Sequence, residues 1–462
     1  MLDDVLARRP KVLVLTPQRP VRHGNGSRVR TYQVIRALSE RGEVHLLQLP
    51  RHDGAKVSDD VRPYVQSLVE DPESPKPQRG SSARKRRRFA RHCLFQPWRV
   101  STLDWLMEAR RIGLGRMEVE AVSDRQDSFR DRLRAATILT EVDLAHRWLG
   151  LPATDSIQAR ATPELVLPMI ERSLARNGVD LVWLEHTHLL PLAGALRRRF
   201  PKAALVCNSH NVLSRLHDVH AGIMTSSVAR RWHRVEARAC YKMECEGLAK
   251  VDQVFCCSEL DRERILKLSP RARVKVWPNG VDPDFFQSTR PPVDPPLLLL
   301  PGSLNYVPNS EGARWFVQDV LPRIHAKFPA CRLRIAGRGA EQTCGQLAGK
   351  RVEALSDVPD MRPHFEEAAL VIVPLRAGSG TRLKILEAMA MERAVVSTTV
   401  GAEGLNSERG RHLLLADDPE AFASAILKLL GDPALCAELG RAGRELIQGR
   451  YDWKHLSEKA LA

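Results

Sequence analysis

Residues 374–390, PLRAGSGTRLKILEAMA, hold the densest set of groups in the chain that could do chemistry. A short apolar run ends at Pro374, Gly378-Ser379-Gly380 makes a turn, and helical periodicity starts near Thr381. Glycines let backbone N–H groups come close to an anion. A helix N-terminus adds unpaired donors and a partial positive charge. Arg382 and Lys384 contribute full charges, so the segment is suited to a diphosphate. Glu387, further along the same helix, is placed to accept hydrogen bonds from ribose hydroxyls.

A second group of reactive side chains follows short apolar runs earlier in the chain. Asp180–Leu184, Ala204–Asn208 and Gln253–Ser258 read as strands, and each ends in polar residues. Ligands of open α/β sheets bind beyond the carboxyl ends of the strands. His186, His188, Ser209, His210 and Ser258 therefore stand where chemistry would sit. The His-x-His pair invites a metal reading, but the sequence shows no third ligand for it.

The elements that must position these groups follow the same grammar twice. The first half opens with strand Lys11–Thr16, a loop containing Gly24 and Gly26, helix Thr31–Arg41 and strand Val44–Leu49. A Pro-rich stretch at 290–296 reads as an interdomain linker. The second half then gives strand Leu297–Leu300, a loop with Gly302 and Ser303, a helix over about 310–328 and strand Arg332–Ala336. Strands near 351–354 and 370–373, helix Arg382–Met391, strand Ala394–Thr398 and helices beyond Pro419 complete it. The region from about 71 to 161 has no fold legible in the sequence. The expected fold class is α/β, with two Rossmann-like doubly wound domains.

With 462 residues the chain is long enough for two such domains. No run of about 18 apolar residues occurs, so no membrane span is expected. The first ten residues lack the apolar centre of a signal peptide, which points to the cytoplasm. The nine cysteines show no C-x-x-C spacing and read as reduced thiols. The net charge of +16 suits a polyanionic partner. It is densest at 79–92, where Arg84, Lys85, Arg86, Arg87 and Arg88 are consecutive. That run fits either a solvated loop or an anionic membrane surface. Nucleic acid is disfavoured, because only 5 % of residues are aromatic and no repeated aromatic–basic stacking pattern appears.

Further segments extend the pattern: GNGSRVRTYQVIRAL from Gly24, NSHNVLSRL from Asn208, CSELDRERI from Cys257 and VWPNGVDPDFF from Val276. PGSLNYVPNSEGARWF from Pro301, GRG from Gly337, VSTTVGAEGL from Val396 and YDW from Tyr451 follow in order. Together with residues 374–390 they resemble the family 4 retaining glycosyltransferases of GT-B fold, as found among bacterial polysaccharide-associated enzymes. The resemblance implies two Rossmann-like domains facing across a cleft. These would be an acceptor-side domain at 1–289, a donor domain at 290–440 and a C-terminal helical segment at 441–462 that packs back on the first.

The same resemblance implies roles for single residues. Glu387 would contact the nucleotide ribose. Ser379 stands where many members carry the first glutamate of their Glu-x7-Glu motif. Gly302, Ser303, Gly378, Gly380 and Thr381 would line the donor, and Gly24 and Gly26 would meet its phosphate from the opposite side. His210 falls near the donor sugar. Relatives carry an Arg and a Lys just after the Gly302 loop, where this chain has Leu304, Asn305 and Asn309. Arg382 and Lys384 would substitute for them. The implied reaction is sugar transfer from a nucleotide-sugar to a glycan or lipid-linked acceptor, with retention and with no cofactor or metal. The protein would lie in the cytoplasm and at the inner membrane face. Two rivals are a sugar-nucleotide epimerase of the same fold and a non-catalytic protein that binds nucleotide-sugar or nucleic acid.

Overall fold

The structure is a computed structural model that describes residues 2–24, 26–49, 59–70, 162–173, 178–224, 227–349, 351–378 and 382–462. The expectations for Ser379, Gly380, Thr381 and all of 71–161, with the basic run at 79–92, lie outside these residues. The chain divides into two compact units. One holds Met1–Phe255 with Arg264–Val274, and the other holds Cys256–Glu263 with Lys275–Ala462.

The first sheet contains β1 (Lys11–Thr16), β2 (Glu43–Gln48), β3 (Ser67–Glu70), β4 (Leu181–Glu185), β5 (Ala204–Asn208), β6 (Gln253–Cys256) and β7 (Val274–Val276). Their spatial order is β3-β2-β1-β4-β5-β6-β7. The second sheet contains β8 (Leu297–Pro301), β9 (Arg332–Ala336), β10 (Val352–Leu355), β11 (Leu370–Val373), β12 (Ala394–Ser397) and β13 (Leu414–Leu415). Its order is β10-β9-β8-β11-β12-β13. The paired registers are parallel in both sheets. Each sheet therefore reverses direction once, between β1 and β4 in the first and between β8 and β11 in the second. That reversal is the doubly wound switch point.

The central strands are continuous apolar runs because helices cover both faces of a parallel sheet. VLVLT of β1, LVWLE of β4 and LLLLP of β8 are buried along their whole length. Apolar runs of this kind are local signals, and β1, β5, β9 and β11 fall at the bounds expected from sequence. The strand β3 was not foreseen, nor were the long helices Leu213–Ile223 and Ser227–Leu248 between β5 and β6. The single helix expected over 310–328 is instead Val307–Trp315, a π-helical turn Phe316–Val320, and Leu321–His325. Pro322 explains the break, since it has no N–H to give and a π turn absorbs the misfit.

The distant motif pieces VWPNGVD and YDW meet in the second unit. Val281 N donates to Tyr451 O at 2.8 Å, and Tyr451 Oη accepts from Asn406 N at 2.7 Å. Trp453 is buried beside them. Among the described residues no helix is long and apolar enough to cross a membrane, and the eight described cysteines are free thiols.

Candidate active site

In the second unit the switch point gathers three loops. The loop after β8 starts with Gly302 at φ 137°. A side chain there would be strained, and its Cβ would lie 2.6 Å from Lys384 Nζ. Lys384 sits in the first turn of helix Leu383–Ala390 and reaches across to this loop. Its Nζ donates to Asn309 Oδ1 at 2.9 Å, while Asn309 Nδ2 donates to Ser303 O at 2.7 Å. Asn309 thus ties the ammonium to the glycine loop. The loop after β11 runs to Gly378, at φ 150°, where any side chain would meet the Arg382 guanidinium. Thr398 Oγ1 donates to Leu375 O and also accepts from Gly401 N at 2.9 Å. The VSTTVG loop after β12 therefore buttresses the β11 loop.

Charged groups are buried close together at this site. Lys384 is half-buried, and burial with the neighbouring Arg382 charge pushes its ammonium down to about 7 against the pull of Glu387. Glu387, one helical turn on, is pushed up to about 7 by burial, with Lys384 opposing. Arg382 is 8 % exposed, and burial lowers even its pKa. Burying these cations costs desolvation free energy, which a bound anion would offset.

In the first unit, the strand ends build a buried polar network around Glu185, which is 0 % exposed. Its carboxylate accepts from Trp183 Nε1 (2.7 Å), Thr31 Oγ1 (2.9 Å), Asn208 Nδ2 (3.1 Å) and His210 Nε2 (2.7 Å). The buried Arg30 guanidinium donates to Asn208 Oδ1 at 2.8 Å, so the Asn208 amide bridges a buried cation and a buried anion. This network fixes the amide orientation. Thr31 and Arg30 lie on helix Gly26–Ser39, whose first residue is Gly26; Gly24 precedes it at φ 116°.

His186 stacks on His210 with ring centroids 3.7 Å apart and planes 29° apart. His186 has φ 78°, which a non-glycine residue adopts at a cost of order 1–3 kcal/mol. Burial first, then the Arg30 and His188 charges, hold His210 well below the ordinary histidine range. A carboxylate only accepts, so the hydrogen in the 2.7 Å contact is carried by His210 Nε2.

The sequence singled out His210, Gly302, Ser303, Arg382, Lys384 and Glu387 as candidates, and the structure gathers the last five around one switch point. Sequence reasoning missed Glu185, Arg30, Thr31 and Asn208. The available signal was a glutamate ending an otherwise apolar strand, LVWLE. Ser258 is taken up structurally. Its Oγ accepts from Asp261 N at 3.1 Å, capping helix Glu259–Leu268, and donates to Asp261 Oδ2 at 2.8 Å.

Known proteins match both halves of the chain. The family described as Glycosyltransferase Family 4 matches residues 132–285, and Glycosyl transferases group 1 matches residues 295–432. An uncharacterized 44.6 kDa protein in the cps region of Klebsiella pneumoniae is 27 % identical over 166 residues, 34 % of this chain and 43 % of that protein. A phosphatidyl-myo-inositol mannosyltransferase of Mycolicibacterium smegmatis is 30 % identical over 150 residues, 30 % of this chain and 38 % of that protein. The chain thus spans less than half the length of either relative. The crystal structure of Anabaena HepE in complex with UDP-glucose superposes with a TM-score of 0.55 at 13 % identity, covering 98 % of both chains. Together the two family matches span well over half of the sequence; one covers strands β4–β7 of the first sheet and the other all of the second sheet. The chain belongs to the family 4 glycosyltransferases and has their GT-B fold.

Proposed function

We propose that the protein transfers a sugar from a nucleoside-diphosphate sugar to a hydroxyl of a glycan or lipid-linked acceptor, with retention of configuration. The observation that carries this reading is the Lys384–Asn309–Gly302 constellation, a cation held over a glycine loop at a switch point. Sugar–phosphate cleavage leaves negative charge on the diphosphate. Lys384, Arg382 and the adjoining helix N-terminus would stabilise that charge most in the transition state. Retention follows from same-face attack, with the leaving phosphate taking the acceptor proton. No residue is assigned as a covalent nucleophile. The UDP-glucose complex of HepE supports a nucleotide-sugar donor. A phosphatidyl-myo-inositol mannosyltransferase among the relatives, together with the basic sequence at 79–92, supports a lipid-linked acceptor at an anionic membrane face. The test is transfer of labelled sugar to an acceptor extract. Donor turnover that needs no acceptor and returns an epimer would replace this reading with an epimerase.

The two groups near pH 7 predict a pH signature. Lys384 must be charged to hold a diphosphate, and its free-state value near 7 means charge is lost as pH rises. Glu387 must be ionised to accept from ribose, and its value near 7 means that is lost as pH falls. Affinity for a nucleotide-sugar, whose diphosphate does not titrate here, should peak near pH 7. It should fall by up to about tenfold per unit on either side. Lys384→Arg should remove the alkaline limb and Glu387→Gln the acid limb. Calorimetric titrations across this range check it, and a flat wild-type profile would contradict it.

His210 should matter for turnover more than for nucleotide binding. With His210→Ala we expect kcat to fall on the order of 10–100-fold, while nucleoside-diphosphate affinity stays within about twofold. Steady-state kinetics beside calorimetry separate the two. Unchanged kcat would return His210 to a packing role.

A further inference from the structure

Helices Leu213–Ile223 and Ser227–Leu248 pack against each other in the first unit, and the face they share carries buried polar residues beside the apolar contacts of Leu213, Leu216 and Met243. His233, Glu236, Cys240 and Glu244 recur at helical spacing along the second helix, so they line one face. Glu244 accepts from Leu213 N at 2.6 Å and from Ser214 N and Oγ at 3.1 and 2.6 Å, capping the first helix. Further along, His217, Glu236 and Cys240 are buried together. One ligand atom from each lies within 4.8 Å of the other two. His217 Nδ1 is 3.1 Å from His233 Nδ1. Trp232 closes the site, with its ring 5.8 Å from that of His217 and 4.9 Å from that of His233.

The donor chemistry is specific. Imidazole, thiolate and carboxylate together form a borderline-soft set that favours Zn2+ among common divalent ions and is poorly suited to Mg2+ or Ca2+. Two imidazole nitrogens on one tetrahedral ion with bonds of about 2.0 Å lie about 3.3 Å apart, close to the His217–His233 separation. Glu236 is fully buried, so its carboxylate lies inside the interface rather than in solvent.

We propose that His217, Glu236 and Cys240, with His233 as the fourth donor, bind one zinc ion that staples the two helices. Cys240 binds as thiolate and releases its proton to solvent. The ion is structural and takes no part in sugar transfer. Its position matters because the stapled helix begins three residues after His210, so the ion would steady the segment that carries that imidazole.

The full-length protein would be stripped with a chelator, reloaded with Zn2+, desalted and analysed for metal, and separately loaded with Co2+. The expected result is one zinc per chain in the wild type and a thiolate-to-cobalt charge-transfer band. Both should be lost in Cys240→Ser and in His217→Gln, and both should be kept in Cys245→Ser, which changes a thiol outside the set. Chelator should lower the wild-type Tm by several degrees and leave that of Cys240→Ser unmoved. A wild type that retains no zinc after reloading would overturn the proposal, as would a cobalt band that survives in Cys240→Ser. The wild-type arms decide even if a variant fails to fold.

Discussion

Lys384→Ala is expected to lower kcat/KM by on the order of 10²–10³-fold, the largest kinetic effect of any single substitution in the second unit. The lysine places a full charge directly over the Gly302 loop, and Asn309 holds its Nζ there at 2.9 Å. Removing it withdraws a preorganised cation from a leaving diphosphate inside a half-buried site, where screening by water is weak. Lys384→Arg should recover only part of the loss, because the guanidinium fork is larger than the space that Gly302 leaves for an ammonium. Steady-state kinetics check both variants. A Lys384→Ala enzyme within tenfold of wild type would remove Lys384 from the donor site.

The second large effect is on stability. Glu185→Ala should destabilise the protein by about 3–5 kcal/mol, because it takes the shared acceptor away from Trp183, Thr31, Asn208 and His210 and leaves the Arg30 charge buried without its nearby carboxylate. The melting temperature should fall on the order of 10 °C. Glu185→Gln should lose less, yet its amide NH2 would face other donors, so it should still fall well short of wild type. Thermal melts and urea titrations test this. A Glu185→Ala melt within a degree of wild type would mean that the network is not what holds the strand ends together.

Much of the second unit was legible in the sequence, because its signals are local. LLLLPGS and VPLRAGSG each join a buried parallel strand to a glycine turn, and TRLKILEAMA supplies the helix and its charges within ten residues. The link from Lys384 to Asn309 was the part hidden there. It spans 75 positions, and an asparagine in a helix carries no pattern of its own. The first unit was less legible for the same reason. Thr31 and Glu185 are 154 residues apart and Arg30 and Asn208 are 178 apart, so the network exists only once β1, β4 and β5 lie side by side. His210 was singled out because it follows strand β5, and the Glu185 carboxylate it meets was not. The helix pair at 213–248 was missed because its shared face mixes polar residues with apolar ones, which blurs the apolar period that marks a helix.

The central claim is that the second unit holds a nucleoside diphosphate through Lys384 and the Gly302 loop. Calorimetric titration of the wild-type protein with a panel of nucleoside diphosphates, their sugars and the matching nucleosides tests it most directly. The account predicts one site per chain for at least one diphosphate, with affinity in the micromolar to millimolar range typical of enzyme substrates. It predicts little or no binding of the bare nucleoside, and a loss of about 1.5–3 kcal/mol for the diphosphate in Lys384→Ala. Binding of no nucleoside diphosphate at about 1 mM would contradict the account, as would equal binding by wild type and Lys384→Ala.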